Sequence, residues 1–232
     1  MNSQSLSSQQ SNYKGFVLDL VIYLSLMFLI RELYFPELYF IANGLMWSFS
    51  TLIVAMWRMR ARRVTWKDLG LKMPDNLLKT LLVTIGILIA IPICIIIFQQ
   101  IQNIFSLDLA PDTSSEDAVS KFGDLKDNWP HFFTIIPFIL IQSALEELLD
   151  RGFLINWFER AFSNASFATA FAVILQALIF GFRHSYDISE RSISVAIIGL
   201  VMGIAYVKGG RNLWPLIIAH CVLNTMSMMG KI

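Results

Sequence analysis

Apolar segments of about twenty residues dominate the chain and narrow the folds that it can adopt, since a helix of that length crosses the ~30 Å hydrocarbon core of a bilayer. Apolar residues make up 56% of the 232 residues and charged residues only 15%. In a soluble domain about a quarter of the residues are charged. The sequence therefore predicts an all-α fold, a polytopic membrane helix bundle of about seven to eight transmembrane helices. The apolar segments cover residues 16–30, 38–57, 77–98, 131–160, 166–184, 192–208 and 213–230.

The distribution of charge predicts how the bundle lies in the membrane. The loop after the second apolar segment is the most basic part of the chain, and short basic loops stay cytoplasmic. We therefore expect a plasma-membrane protein with a cytoplasmic N-terminus, a disordered cytoplasmic tail over residues 1–13 and an outer acidic loop within 99–130. A net charge of +1 argues against nucleic acid and leaves the lipid bilayer as the expected surroundings. The basic residues are Arg58, Arg60, Arg62, Arg63, Lys67 and Lys72, and the acidic ones are Asp108, Asp112, Glu116, Asp117, Asp124 and Asp127.

Ionisable residues interrupt the apolar sequence in one place above all. Glu146, Glu147, Asp150 and Arg151 follow directly on the apolar run 132–145. At membrane depth each such side chain costs at least ~2.5 kcal/mol, so these residues usually face the interior of a bundle and serve a function. Two later apolar segments also carry polar groups, namely His184 in the first and His220 with Asn224 in the second. We expect one site to account for all of them.

The helical hairpin around Asn164 predicts that two of these groups meet. The pattern favours one long helix over about 131–162, then a turn over 163–166. Glu146 lies 18 residues before Asn164 and His184 lies 20 residues after it. At ~1.5 Å per residue the two side chains reach a similar depth in the antiparallel pair.

Helical spacing sorts the residues within each motif. Glu147 and Arg151, four residues apart, share a helix face, whereas Glu146 points ~100° away from that face. The arginine partner keeps Glu147 ionised and leaves Glu146 free to face a cavity. The same spacing pairs Phe180 with His184, and His220 with Asn224.

The three motifs, Glu-Glu-x-x-x-Arg, Phe-x-x-x-His and His-x-x-x-Asn in this order, resemble those of the CAAX prenyl protease and bacteriocin-processing (CPBP, or Abi) intramembrane proteases. The segment from Trp66 to Leu71 is similar to a pattern that many bacterial members carry at that place. The resemblance covers about residues 140–228. It implies N-terminal transmembrane helices and the outer acidic loop over 14–125, and a catalytic helix bundle over 126–232.

The resemblance also implies a reaction and the residues that carry it. The reaction is hydrolysis of a peptide bond in a peptide or membrane-protein substrate. Glu146 would act as the general base on a water molecule that His184 helps to hold, and His220 with Asn224 would donate hydrogen bonds to the oxyanion. The supporting residues would be Glu147, Arg151 and Phe180.

A zinc ion is the alternative to a purely side-chain mechanism. Glu146, His184 and His220 are ligand types found in zinc peptidases. The sequence has no His-Glu-x-x-His motif, however, and Asn224 would be a poor zinc ligand. We therefore favour water activation by glutamate and histidine without a cofactor.

Two other kinds of protein would also place ionisable residues in a helix bundle. One is a non-catalytic membrane scaffold or bacteriocin self-immunity protein with the same fold. The other is an ion-coupled transporter, which the lack of an internal repeat disfavours. The sequence defines neither the substrate, nor whether it is prenylated, nor the oligomeric state.

Overall fold

The computed structural model describes residues 3–111, 121–163 and 165–232, with side chains from residue 13 onwards. The described residues form seven long helices, a short 3-10 helix over Ile30–Glu32 and no strand, which confirms the predicted all-α fold. The predicted helix near 131–162 is also confirmed, since α4 is continuous over 33 residues. The helices are α1 Ser3–Leu29, α2 Phe40–Arg62, α3 Leu77–Phe105, α4 Trp129–Ala161, α5 Ala168–Ser185, α6 Glu190–Lys208 and α7 Trp214–Met229.

The helices have the lengths and surfaces of membrane spans. Six of them, from α1 to α6, contain apolar stretches long enough to cross a bilayer, and α7 is a shorter apolar helix. In α3 many leucine and isoleucine side chains are exposed rather than packed inside, as a helix facing lipid requires. The polytopic membrane bundle predicted from composition is therefore confirmed.

Three boundaries differ from the sequence prediction. Residues 3–13, predicted to be a disordered tail, belong to α1, because no proline or glycine interrupts the helix before Gly15. The basic residues at 58, 60 and 62 lie in the last turns of α2 rather than in a loop, a place where arginine complements the helix dipole. The outer connection begins only after Phe105, where α3 ends. Asn164 and the acidic residues at 112, 116 and 117 lie outside the described residues.

A π-helical segment widens α4 where its ionisable residues lie. The helix is α-helical to Glu146, π-helical over Glu147–Ile155 and α-helical again from Asn156. π-Helical turns inside α-helices are rare and are frequent at functional sites. The side chains of Glu147, Asp150 and Arg151 are fully buried in this segment.

Small residues allow α5 and α6 to pack closely. A Cβ atom on Gly181 would overlap the backbone carbonyl of Ser192 and lie 2.6 Å from Cβ of Ala196. Gly199 and Gly203 of α6 also lie close to α5, because a Cβ atom on them would lie 3.1 Å from Cα of Ala177 and 3.0 Å from Cγ1 of Val173, respectively. This contact fixes the end of α5, and with it the position of the predicted site residues on that helix.

A buried carboxylate links α1 to α2 and α4 at the end of the bundle away from Glu146. Asp19 accepts hydrogen bonds from Nε of Arg58 at 2.8 Å, from Nε of Arg62 at 2.7 Å and from Nε1 of Trp157 at 3.2 Å. Because Asp19 is fully buried, its charge depends on these donors. The contact holds α1 against the helix that carries the paired glutamates.

Candidate active site

The four residues predicted to be catalytic line one cavity of about 350 Å³. Glu146 comes from α4, His184 from α5, and His220 and Asn224 from α7. Residues of α1, of the 3-10 helix after it and of α2 form another part of the wall. A volume of this size accommodates a short stretch of peptide together with water.

A glutamine one turn earlier on α4 orients Glu146. Nε2 of Gln142 donates to Oε1 of Glu146 at 3.0 Å and also lies 2.8 Å from Oγ of Ser48 on α2. Oε2 of Glu146 faces His220, whose Nε2 lies 3.7 Å away. One carboxylate oxygen is thus held by protein and the other is directed towards a histidine.

Glu147 accepts two hydrogen bonds, only one of which the sequence predicted. Its Oε1 lies 3.0 Å from Nη1 of Arg151, which confirms the predicted pair. The same oxygen lies 2.7 Å from Nδ1 of His220 on α7. Because a carboxylate can only accept, Nδ1 carries the hydrogen, and Nε2 is the ring nitrogen left for the cavity.

Phe180 is a common packing surface for the site. Nδ1 of His184 lies 2.7 Å from the carbonyl oxygen of Phe180, which can only accept, so Nε2 of His184 is its free nitrogen. The Phe180 ring lies 4.6 Å from the His184 ring and 4.2 Å from the guanidinium carbon of Arg151. It therefore packs between the His184 ring and the Arg151 guanidinium.

A serine on α4 holds the amide of Asn224. Nδ2 of Asn224 donates to Oγ of Ser143 at 2.8 Å, and that hydroxyl donates to the carbonyl of Ile139. The second amide hydrogen remains for a group in the cavity. This contact and the one between His220 and Glu147 join α7 to α4.

Sequence reasoning missed a second buried ion pair. Nη2 of Arg183 lies 2.7 Å from Oδ2 of Asp150, and the Asp150 side chain is fully buried. Arg183 also lines the cavity. Asp150 and Arg183 lie at the unspecified positions of the first two motifs. Two charged residues in apolar sequence could therefore have indicated that they form a pair. Gln142, four residues before Glu146, carried a similar signal through its helical spacing.

The described residues do not form the ligand set that zinc would need. No three His, Cys, Asp or Glu side chains among them are grouped as a metal site requires. The mechanism proposed below uses side chains and water alone.

The segment 66–71, part of the family resemblance, lies away from the cavity. The hydroxyl of Tyr206 donates to the carbonyl of Leu69 at 2.9 Å, and the amide of Leu213 donates to the carbonyl of Gly70 at 3.0 Å. The segment thus packs against the turn between α6 and α7.

Comparison with known protein families gives a match over the part of the chain that carries these residues. Residues 128–226 match the family described as Type II CAAX prenyl endopeptidase Rce1-like. The matched range contains every predicted site residue and confirms the resemblance seen in the motifs. No curated protein and no solved structure matches the chain. The chain is therefore a multi-pass membrane protein in which residues 128–226 match an Rce1-like domain.

Proposed function

We propose that this protein is an intramembrane endopeptidase that uses Glu146 as its general base. The observation that carries this proposal is the shared cavity, since Glu146, His184, His220 and Asn224 reach it from three helices of the Rce1-like domain. A site enclosed by helices needs polar groups to bring in water, and this cavity supplies them.

Water activation is the first step of the proposed reaction. Gln142 holds Oε1 of Glu146, and Nε2 of His184 is available to accept a hydrogen bond from the attacking water. Glu146 takes one proton as the water oxygen attacks the scissile carbonyl carbon. When the carbon–nitrogen bond breaks, the same proton passes to the leaving amine.

Oxyanion stabilisation is assigned to the two residues of α7. The free amide hydrogen of Asn224 donates to the developing oxyanion, and oriented donors of this kind contribute about 3–4 kcal/mol each. His220 gives its Nδ1 hydrogen to Glu147, so it can donate to the oxyanion only while Nε2 also carries a proton. Nε2 of His220 lies 3.7 Å from Oε2 of Glu146, so it faces the same part of the cavity as the proposed base.

The proposed orientation puts the N-terminus in the cytoplasm and the cavity on the outer side of the plasma membrane. The basic end of α2 would face the cytoplasm, as short basic segments do. The cavity lies at the other end of the bundle and is lined by residues near the end of α1, the start of α2 and the ends of α5 and α7. The substrate is then a peptide or membrane-protein segment that enters from the outer face.

A matched pair of variants tests the reaction. In cells that make the protein, Glu146→Ala should abolish the cleavage products in the membrane peptidome, whereas Glu37→Ala, at an exposed glutamate, should leave them unchanged. Both variants should accumulate in the membrane to the same level. A phenotype that depends on the protein yet survives both Glu146→Ala and His184→Ala would contradict proteolysis and favour a scaffold or transport role.

The absence of a metal from the proposed mechanism has its own test. Hydrolysis by the purified protein should persist after treatment with a chelator, because side chains alone activate the water. Loss of activity that added zinc restores would contradict this part of the proposal.

A further inference from the structure

The charged lining of the cavity is more cationic than peptide hydrolysis requires. Among the described residues, Glu146 is the one acidic side chain in the lining. Generic peptide-bond hydrolysis needs no excess of positive charge around the backbone. The cationic residues of the lining are Arg31, Lys121, Arg183, Arg191 and Lys231.

Arg31 differs from the other arginines of the lining in its contacts. Arg183 is paired with Asp150, and Arg191 also has a partner. Nη1 of Arg31 donates to the backbone carbonyl of Arg183 at 3.1 Å, and no carboxylate among the described residues pairs with this guanidinium. Its charge is therefore not neutralised by the part of the chain that the structure describes.

Two aromatic rings hold the Arg31 guanidinium in place. Its central carbon lies 4.2 Å from the ring centre of Tyr186 and 5.2 Å from that of Trp47, both of which line the same cavity. Cation–π contacts of this kind hold arginine without neutralising its charge. Together with the bond to the Arg183 carbonyl they fix the plane of the group before any ligand binds, which lowers the entropic cost of binding.

We propose that Arg31, framed by Tyr186 and Trp47, binds a carboxylate of the substrate. Nε and Nη2 of Arg31 are free of partners in the described part of the chain, and an arginine edge with two N–H groups matches the two oxygens of a carboxylate. The site thus selects peptides with an acidic side chain or a free carboxyl terminus. That the bound peptide is a substrate rests on the proposed function; the binding itself does not.

Binding is measured with protein that cannot hydrolyse the probe. Glu146→Gln protein in phosphatidylcholine nanodiscs is titrated with a fluorescent library of short uncharged peptides in three forms. One form ends in a free carboxylate, one in a carboxamide, and one in a carboxamide with a single internal glutamate. At least one carboxylate-bearing form should bind about tenfold more tightly than the uncharged carboxamide, and the form that does so identifies the source of the carboxylate.

Adding Arg31→Gln to Glu146→Gln should remove this preference. Arg60→Gln, at an exposed arginine of α2 outside the cavity lining, is the matched control and should keep it. Equal binding of all three peptide forms, or a preference that survives Arg31→Gln, would overturn the proposal. Because no step depends on hydrolysis, an inactive wild-type protein would count against the proposed function and not against this site.

A conservative variant and a stability measurement test whether misfolding causes the loss of preference in Arg31→Gln. Arg31→Lys keeps the charge but presents one nitrogen in place of the planar edge, so it should recover only part of the preference. Wild-type levels of preference in Arg31→Lys would contradict recognition by the paired N–H groups. Equal thermal unfolding temperatures for the Gln and Lys variants show that folding does not cause the difference.

Discussion

Nδ1 of His220 lies 2.7 Å from Oε1 of Glu147, although the two residues are 73 positions apart. The same oxygen accepts a hydrogen bond from Arg151, so Glu147 neutralises a buried guanidinium and orients a catalytic candidate at once. In the proposed mechanism the second glutamate of the motif is therefore a positioning residue. Glu146 lines the cavity, whereas Glu147 is buried against protein groups.

Replacement of Glu147 by glutamine is expected to affect both stability and catalysis. It leaves the Arg151 guanidinium buried without a counter-charge, and breaking a buried ion pair costs about 3–5 kcal/mol. Thermal unfolding in detergent and turnover of a cleaved peptide measure the two effects. Glu159→Gln, which breaks the more exposed pair with Arg211, is the control and should change turnover little. Full activity in Glu147→Gln would show that His220 needs no carboxylate partner.

The buried pair of Asp150 and Arg183 should behave as a unit. Asp150→Asn leaves Arg183 without its carboxylate and should destabilise the protein by about 3–5 kcal/mol. The double change Asp150→Asn with Arg183→Gln should regain part of this loss, because it removes both charges. Unfolding temperatures of the single and double variants test the coupling. Additive losses would mean that the two side chains contribute independently.

Gly181 is expected to tolerate no side chain. In Gly181→Ala the new methyl group overlaps the Ser192 carbonyl, so α6 must move away, at a cost of about 1–3 kcal/mol. Turnover should fall as well, since His184 lies three residues further along α5. Gly86→Ala is the matched control, because a Cβ there meets no atom within 4 Å and should change stability by no more than about 1 kcal/mol. Equal effects at both positions would contradict close packing of α5 against α6.

Cysteine labelling in intact cells tests the orientation. After Cys94 and Cys221 are replaced by serine, Lys126→Cys should react with a membrane-impermeant maleimide in whole cells. Lys67→Cys should react only once the cells are permeabilised. Both lysines are exposed, so accessibility within the protein does not separate them. The reverse pattern would put the cavity on the cytoplasmic side.

Local spacing was the part of the site that the sequence could define. The pair of Glu147 and Arg151 and the shared face of Phe180 and His184 depend only on helical geometry over four residues, and both are present. The contact between His220 and Glu147 depends on how far α7 slides along α4, and no local pattern encodes that register.

The apolar pattern of the sequence could not predict the π-helical segment of α4, for a different reason. A π-helical segment changes the hydrogen-bond partner of each residue by one position, while the apolar pattern continues with little disturbance. The change nevertheless alters which side chains face inwards, and it accompanies the inward position of Asp150. A strict α-helical projection therefore predicts the ion pair of Glu147 and Arg151 but not that of Asp150 and Arg183.

The wall of the cavity formed by α1, the 3-10 helix after it and α2 lies outside the range 128–226, which contains all of the proposed chemistry. Arg31 and Trp47 belong to that wall, and the Asp19 contact ties it to α4 from the far end. In the proposed mechanism, catalysis is carried by residues of the matched range, whereas Arg31 and Trp47 of the proposed carboxylate site lie before it. Substitutions at these two positions would thus change which peptides bind without any change to the residues that break the bond.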